Sequence, residues 1–291
     1  MSLVSSAAPP HPTAAPAAEP SVVPARHPWR WISAAAVLVL VAQLVHGLAT
    51  NPGWDWGTFA GYFLETSILH ALLLTLELTF AGAVLGFLGG LILAPMRLSR
   101  NPLLRAVSWT YIWVFRSVPL IVQLLFWANL GYLYDKLRVG IPFGPGFAEF
   151  PTAHLVSSIG AALLGLTLHE AAYAAEIVRA GIISVDPGQW QAAAALGIPR
   201  FRQFRRILLP QAMRAILPSA ANELVNLLKS TSVVYVLAIG ELFYQTQVIY
   251  GRNGRVVPLL MVATVWYVIL TAVLSLLQYY VERHFARGAT R

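Results

Sequence analysis

Six apolar stretches dominate the chain, each about long enough for a helix to cross a hydrocarbon layer of about 30 Å. They run from about Trp31 to Leu48, Ser67 to Leu93, Leu103 to Leu133, Leu155 to Ile183, from just after Pro218 to Val248, and from Val256 to Val281. The third is interrupted by Arg116 and Pro119, so it is expected to be kinked or built from two pieces; the fifth has an unusually polar first half. Trp29 and Trp31 open the first stretch, where indole rings suit the headgroup level. The pattern predicts an all-α polytopic membrane helix bundle of about six transmembrane helices.

Composition agrees with that reading. Apolar residues make up 57% and charged residues 11%, against about 45–50% and about 25% in soluble domains, too little charge to cover a water-facing surface. The net charge of +8 flanks the apolar stretches rather than forming a patch, which favours a topological signal over nucleic-acid binding. With no cysteine there is no disulfide framework or thiolate metal site. Residues 1–28 are Ala, Pro and Ser with little to bury, and are expected to form a disordered tail preceding an additional N-terminal transmembrane helix over 29–50.

Counting Lys and Arg on alternate sides gives a lopsided result. One side carries Arg26, Arg30, Arg97, Arg100, Arg105, Arg179, Arg200, Arg202, Arg205, Arg206, Arg214, Arg283, Arg287 and Arg291; the other carries Lys136, Arg138, Arg252 and Arg255. By the positive-inside rule the first side is cytoplasmic, with both termini, and the Gly- and Pro-rich loop Asp135–Pro151 faces outward. Arg116 and Lys229 remain inside predicted spans.

Between the fourth and fifth stretches lies the basic segment Asp186–Pro210. Pro187 is placed to start a helix, Gln189 to Leu196 is dominated by helix formers, and Gly197 followed by Ile198-Pro199 is a C-terminal stop. A second short helix, about Arg200 to Leu208, is expected to end at Pro210. Charge alone says only that the loop is cytoplasmic. The spacing says more: Gln191-Ala192-Ala193, three residues, Gly197, nine residues, Ile207, one residue, Leu209-Pro210.

This spacing resembles the EAA loop of permease subunits of bacterial ABC importers, departing from it at Gln191, where that family usually has Glu. The resemblance extends over about Ser67 to Val281. Thr75-Leu76-Glu77-Leu78-Thr79, the run Phe115 to Gln123 with Arg116, Pro119 and Gln123, the run Ala172 to Arg179 with Glu176 and Arg179, and Asn226 to Ser232 are similar to the polar amino-acid permease branch. The resemblance implies an ABC importer permease (MetI-like) fold over 65–285, with a cytoplasmic coupling loop over 184–212 that docks on an ATPase subunit. It also implies the partners: an ATP-binding subunit dimer, a second permease subunit in a homo- or heterodimer, and an extracytoplasmic solute-binding protein that delivers a polar amino acid.

The polar residues within the spans can be read without the family. Asn222, Asn226 and Lys229 share one helical face, with Glu223 and Ser230 alongside. Such a stripe faces either a wet cavity or a hydrogen-bonded seam between helices. His169-Glu170 lies near the middle of the fourth stretch, Tyr173 follows Glu170 by one turn, and Glu176 with Arg179 forms an i, i+3 pair. The permease family more often has small or amide residues at the His-Glu position. His169, Glu170, Tyr173, Asn226 and Lys229 are the candidate substrate pathway. Glu77, Arg116, Pro119, Gln123, Glu176 and Arg179 are candidate gate or structural residues.

Three function classes compete. An importer permease is powered elsewhere, and the chain carries no Gly-x-x-x-x-Gly-Lys-Ser/Thr phosphate loop, so ATP and Mg²⁺ are expected on the partner ATPase and no cofactor or metal on this chain. A secondary transporter typically shows an internal repeat with broken helices, which fits six spans and one elaborate loop less well. A membrane enzyme lacks support: there is no His-Glu-x-x-His, no Gly-x-Ser-x-Gly and no clustered metal ligands. The residues leave open which amino acid or related solute is carried.

Overall fold

The computed structural model describes residues 28–286 except 142–143, 145 and 153–156. The expected tail, residues 1–28, lies outside the described residues apart from Pro28, which opens helix α1 (Pro28–Thr50). That helix forms a unit of its own, Met1–Pro52, with strongly exposed apolar side chains along it. The second compact unit begins at Gly53, earlier than the expected 65, because a short helix α2 (Trp56–Phe63) packs into it through an aromatic stack. Phe59 stacks on Phe63, and Phe63 on Trp266 with centroids 4.9 Å apart.

The remaining helices are α3 (Thr66–Leu98), α4 (Pro102–Ser117), α5 (Leu120–Ala128), α6 (Ser158–Ile183), α7 (Pro187–Ala195), α8 (Arg200–Gln203), α9 (Leu209–Ser230), α10 (Leu242–Asn253) and α11 (Val256–Ala286). Four helices, α1, α3, α6 and α11, are long and apolar enough to cross a membrane, and two bent pairs bring the number to six. Each pair occupies one of the expected stretches.

The third stretch is the two-piece element anticipated at Arg116 and Pro119: α4 and α5 meet at 103°. Pro119 has no N–H to continue the ladder, which leaves carbonyls at the end of α4 short of donors. Gln123 supplies them, its Nε2 donating to Phe115 O at 2.9 Å and Val118 O at 2.8 Å. Burial of this amide follows from that duty.

Where an unpatterned loop is expected, residues 135–151 contain an antiparallel hairpin, Lys136–Gly140 with Gly146–Pro151. Arg138 faces Glu149 across the ladder, and the two form an ion pair. Their hydrogen bond and charge hold the Glu149 carboxyl below the usual carboxylate range. The all-α class stands with this small addition.

The core is built on α3 against α6. Gly82, Gly86 and Gly90 recur every four residues on α3 and meet Leu166, Glu170 and Ala174 on α6. Small residues let two helices approach closely, which replaces the hydrophobic driving force absent inside a bilayer. A second cluster of Ala94, Val178, Val185, Leu208, Ala212 and Ile216 binds the base of the basic segment to α3 and α6.

At the opposite end Asp55 caps α2, accepting from Thr58 N at 3.2 Å and Thr58 Oγ1 at 2.7 Å, and pairs with Arg255 at 2.8 Å. The Thr58 bonds first, and Arg255 after them, hold the Asp55 carboxyl below its ordinary value. A depressed carboxylate contributes fully above its unfolded pKa of about 4 and is lost only as pH falls through the lower folded value. Hydrogen exchange of the α2 amides should therefore be equally protected at pH 7 and pH 5 after correction for intrinsic rates. Asp55→Ala should lose protection at both; a fall in wild-type protection between pH 7 and 5 would contradict the cap.

Candidate coupling loop and polar cleft

The basic segment folds as two short helices around a glycine turn. Asp186 caps α7 by accepting from Gly188 N at 2.6 Å. At the other end Gly197, at φ +67°, donates to Ala194 O at 3.0 Å, and Ile198 donates to Ala193 O at 3.2 Å. That pair of bonds is the Schellman arrangement, which needs a left-handed residue at Gly197. Buried Gln203 donates to Ile198 O at 2.6 Å and ties α8 to the turn.

The second helix does not end at Pro210, as expected, but runs into α9. A π-helical turn, Phe204–Leu208, joins α8 to α9, with Leu209 N donating to Phe204 O five residues back. Pro210 cannot donate and its ring crowds the preceding turn. It therefore sits in the first turn of α9, where its missing N–H coincides with the widened ladder. The helix also passes through Pro218, so the fifth element starts earlier than expected.

Of the motif residues, Ala193 and the Leu208 beside Ile207 are buried, Ile207 and Leu209 are half-buried, and Gln191, Ala192, Gly197 and Pro210 are exposed. Leu196 and Phe201, at 78% and 74% exposure, stand out beside exposed Arg200, Arg202, Arg205 and Arg206. The loop thus presents apolar and cationic side chains from a rigid base.

The candidates within the spans do not gather in one place. Gln123, His169, Tyr173 and Arg116 form a chain: Gln123 Nε2 lies 3.2 Å from His169 Nδ1, the His169 and Tyr173 rings are 4.9 Å apart, and the Arg116 guanidinium sits 5.1 Å from the Tyr173 ring centre. The orientation of Pro119 makes this possible by turning α5 back over α6.

Glu170 faces elsewhere. One residue along a helix is a rotation of about 100°, and the Glu170 Cβ and Cγ pack against Gly86 of α3; the residue is 1% exposed, and its Oε1 has no hydrogen-bond partner among the described residues. Asn226 and Lys229 are exposed on α9, Asn226 reaching Glu223 at 3.5 Å. Glu77 is exposed on α3 beside Leu224 and Leu274. The adjacent pair His169-Glu170 is therefore not one site.

A polar cleft of about 450 Å³ opens between α4, α6 and α9, lined by Arg116, Tyr173, Glu176, Ser184, Ser219 and Glu223 among others. Glu176 and Arg179 form the anticipated ion pair at 2.6 Å. Glu223 was legible only as a neighbour of Asn226 on one helix; Ser219 carried no sequence signal. Together Arg116 and Glu223 offer one cation and one anion, with a tyrosine face and a hydroxyl, to a small zwitterion. Among the described residues no group of His, Asp or Glu could hold a metal ion.

A bent-helix bundle with a buttressed basic loop and a polar cleft fits a membrane transport subunit. Residues 86–287 match the family described as binding-protein-dependent transport system inner membrane component, and the chain belongs to it. It is 43% identical over 270 residues to the arginine transport system permease protein ArgU of Corynebacterium glutamicum, covering 92% of this chain and 84% of that one. It is 35% identical over 221 residues to the glutamate/aspartate import permease protein GltK of Escherichia coli O157:H7, covering 75% and 93%. A crystal structure of an amino acid ABC transporter with histidines matches with a TM-score of 0.64 at 33% identity, over 75% of this chain and 94% of that one. The inward-facing MetNI methionine ABC transporter shares the fold, with a TM-score of 0.59.

Proposed function

We propose that this chain is the permease subunit of an ATP-driven importer that moves a polar amino acid inward, with Asp186–Pro210 as its coupling loop. The observation that carries this reading is the rigid loop itself: a capped helix, a left-handed glycine turn and a helix continuous with α9, packed through Leu208 and Ala212 on α3 and α6. A rigid knob transmits a rigid-body movement that a flexible loop would absorb. Its partners are an ATP-binding dimer that carries ATP and Mg²⁺, a second permease subunit, and a solute-binding protein on the far face. The arginine-rich side, with both termini, faces the cytoplasm of a bacterial cell. His169, Tyr173, Arg116 and Glu223 line the solute's route, with Glu170, Asn226 and Lys229 contributing on movement between states; Gln123, Pro119, Glu176 and Arg179 hold the bend and cleft, and Glu77 lies at the margin.

The test is uptake into proteoliposomes with the cognate ATP-binding and solute-binding proteins. Arginine is the first solute to try, given the 43% identity to an arginine transport permease. Uptake should require internal ATP and external solute-binding protein; uptake driven by an ion gradient without the ATPase would point to a secondary transporter. At matched expression, Glu170→Gln and Lys229→Met should each lower uptake by roughly tenfold, as loss of one charge-assisted contact implies. Unchanged transport by both would remove these two residues from the pathway.

A further inference from the structure

A second cleft, of about 250 Å³, lies between the last turn of α3, the outer face of α4 and α6, with Arg97, Trp109, Trp113, Arg116, Glu176 and Arg179 around it. We propose that it binds the phosphate of an anionic phospholipid headgroup from the leaflet on the arginine-rich side.

The charge count points to an anion. Three guanidiniums line this cleft with one carboxylate, Arg116 also reaching the adjoining cleft that holds Glu223, and the carboxylate is taken: Arg179 donates to Glu176 Oε2 through Nε at 2.8 Å and Nη2 at 2.6 Å. Neither Arg97 nor Arg116 has a carboxylate within ion-pair distance among the described residues. Cations gathered at a membrane-embedded helix end are costly without a counter-charge. The guanidinium fork matches phosphate oxygens in pairs.

The surroundings point to a lipid rather than a free ion. Trp109 and Trp113, one turn apart on α4, lie nearly parallel with centroids 6.0 Å apart, and are 49% and 57% exposed. Indoles in that position favour the headgroup level. Exposed Leu103, Val107 and Val114 lie on an adjoining face of α4, about 120° around the helix from the indoles, so α4 offers apolar surface to acyl chains beside the cleft. A small anion would make no use of these rings. The cytoplasmic leaflet is also the leaflet rich in anionic lipid, consistent with the orientation proposed above.

The experiment is native mass spectrometry of the detergent-solubilised permease with its ATP-binding partner, titrated with phosphatidylglycerol or phosphatidylcholine. Phosphatidylglycerol should remain bound under activation that strips phosphatidylcholine. Arg97→Gln should weaken that retention roughly tenfold, as loss of one charge-assisted phosphate contact implies. Arg97→Lys, which keeps the charge without the fork, should fall between the parent and Arg97→Gln, and Arg100→Gln, on the neighbouring loop and outside the cleft, should leave retention unchanged. Should Arg97→Gln fail to assemble, Trp113→Ala is read the same way. Equal retention of both lipids, or undiminished binding in the assembled variant, overturns the proposal. So does displacement of the lipid by millimolar inorganic phosphate, which would make this a free-anion site. Cross-linking of Trp113→Cys to a second permease copy, with no lipid retained, would make it a subunit interface instead.

Discussion

Gly90→Ala is expected to lower the thermal stability of the permease clearly, while Gly82→Ala leaves it unchanged or slightly raised. Both substitutions improve intrinsic helix propensity by about 0.5–1 kcal/mol, so the difference reports packing alone. A Cβ at Gly90 would stand 2.6 Å from Ala174 Cβ, 2.8 Å from Ala175 N and 2.9 Å from Ala174 C. Two of those three atoms are backbone of α6, and no rotamer change moves them. The helices must separate, which loosens the α3–α6 seam on both sides. Overpacking of this kind costs about 1–3 kcal/mol, or a melting point lower by several degrees for a chain of this size, at about 2–4 °C per kcal/mol. At Gly82 the nearest atoms are Leu166 Cβ at 3.4 Å and Leu227 Cδ2 at 3.6 Å, ordinary contacts. Fluorescence-detected thermal unfolding in detergent reads both variants; equal stability of the two would mean the seam is not close-packed at Gly90.

Gly197→Pro is expected to abolish most coupled transport while leaving the bundle folded. Proline holds φ near −65° and cannot take the +67° that this residue adopts. It also removes the N–H that bonds to Ala194 O at 3.0 Å. With that turn lost, α7 no longer keeps a fixed direction relative to α8. The glycine has nothing within 4 Å of a Cβ position, so steric crowding adds nothing to the penalty. Gly197→Asn, which tolerates the left-handed region, should therefore stay close to the parent. Uptake and binding-protein-stimulated ATP hydrolysis should fall roughly tenfold or more in the proline variant, equivalent to a coupling loss of about 1.4 kcal/mol or more. Normal coupling in Gly197→Pro, with intact ATPase association, would remove the loop from force transmission.

These two glycines show how differently sequence speaks about fold and site. Gly197 was legible because its role is local: a helix former run, then glycine, then Ile198-Pro199, is a stop signal written in four residues. Gly90 was silent because its role depends on Ala174 and Ala175, 84 and 85 positions away. The spacing Gly82, Gly86, Gly90 was the available sign, and it says that a helix has a smooth face without saying what lies against it. The same division runs through the pathway candidates. His169 and Glu170 look like a pair in sequence, yet a rotation of about 100° between them sends one to Gln123 and Tyr173 and the other to Gly86. Glu223 entered the cleft only when α9 was laid against α4 and α6.

By itself the sequence determined the class and the span positions, because an apolar run of about 20 residues has few alternatives to a membrane helix. It also determined the loop's helix–glycine–helix form, through Pro187, Gly197 and Pro199. Only the tertiary structure decided the 103° turn between α4 and α5, the continuation through Pro210 by a π-helical turn, and the meeting of Arg116, Tyr173 and Glu223 in one cleft. The reason is physical: local backbone preferences act within a few residues. A bend angle or a site is fixed by which surfaces pack, and by where the carbonyls freed at Pro119 find the amide of Gln123.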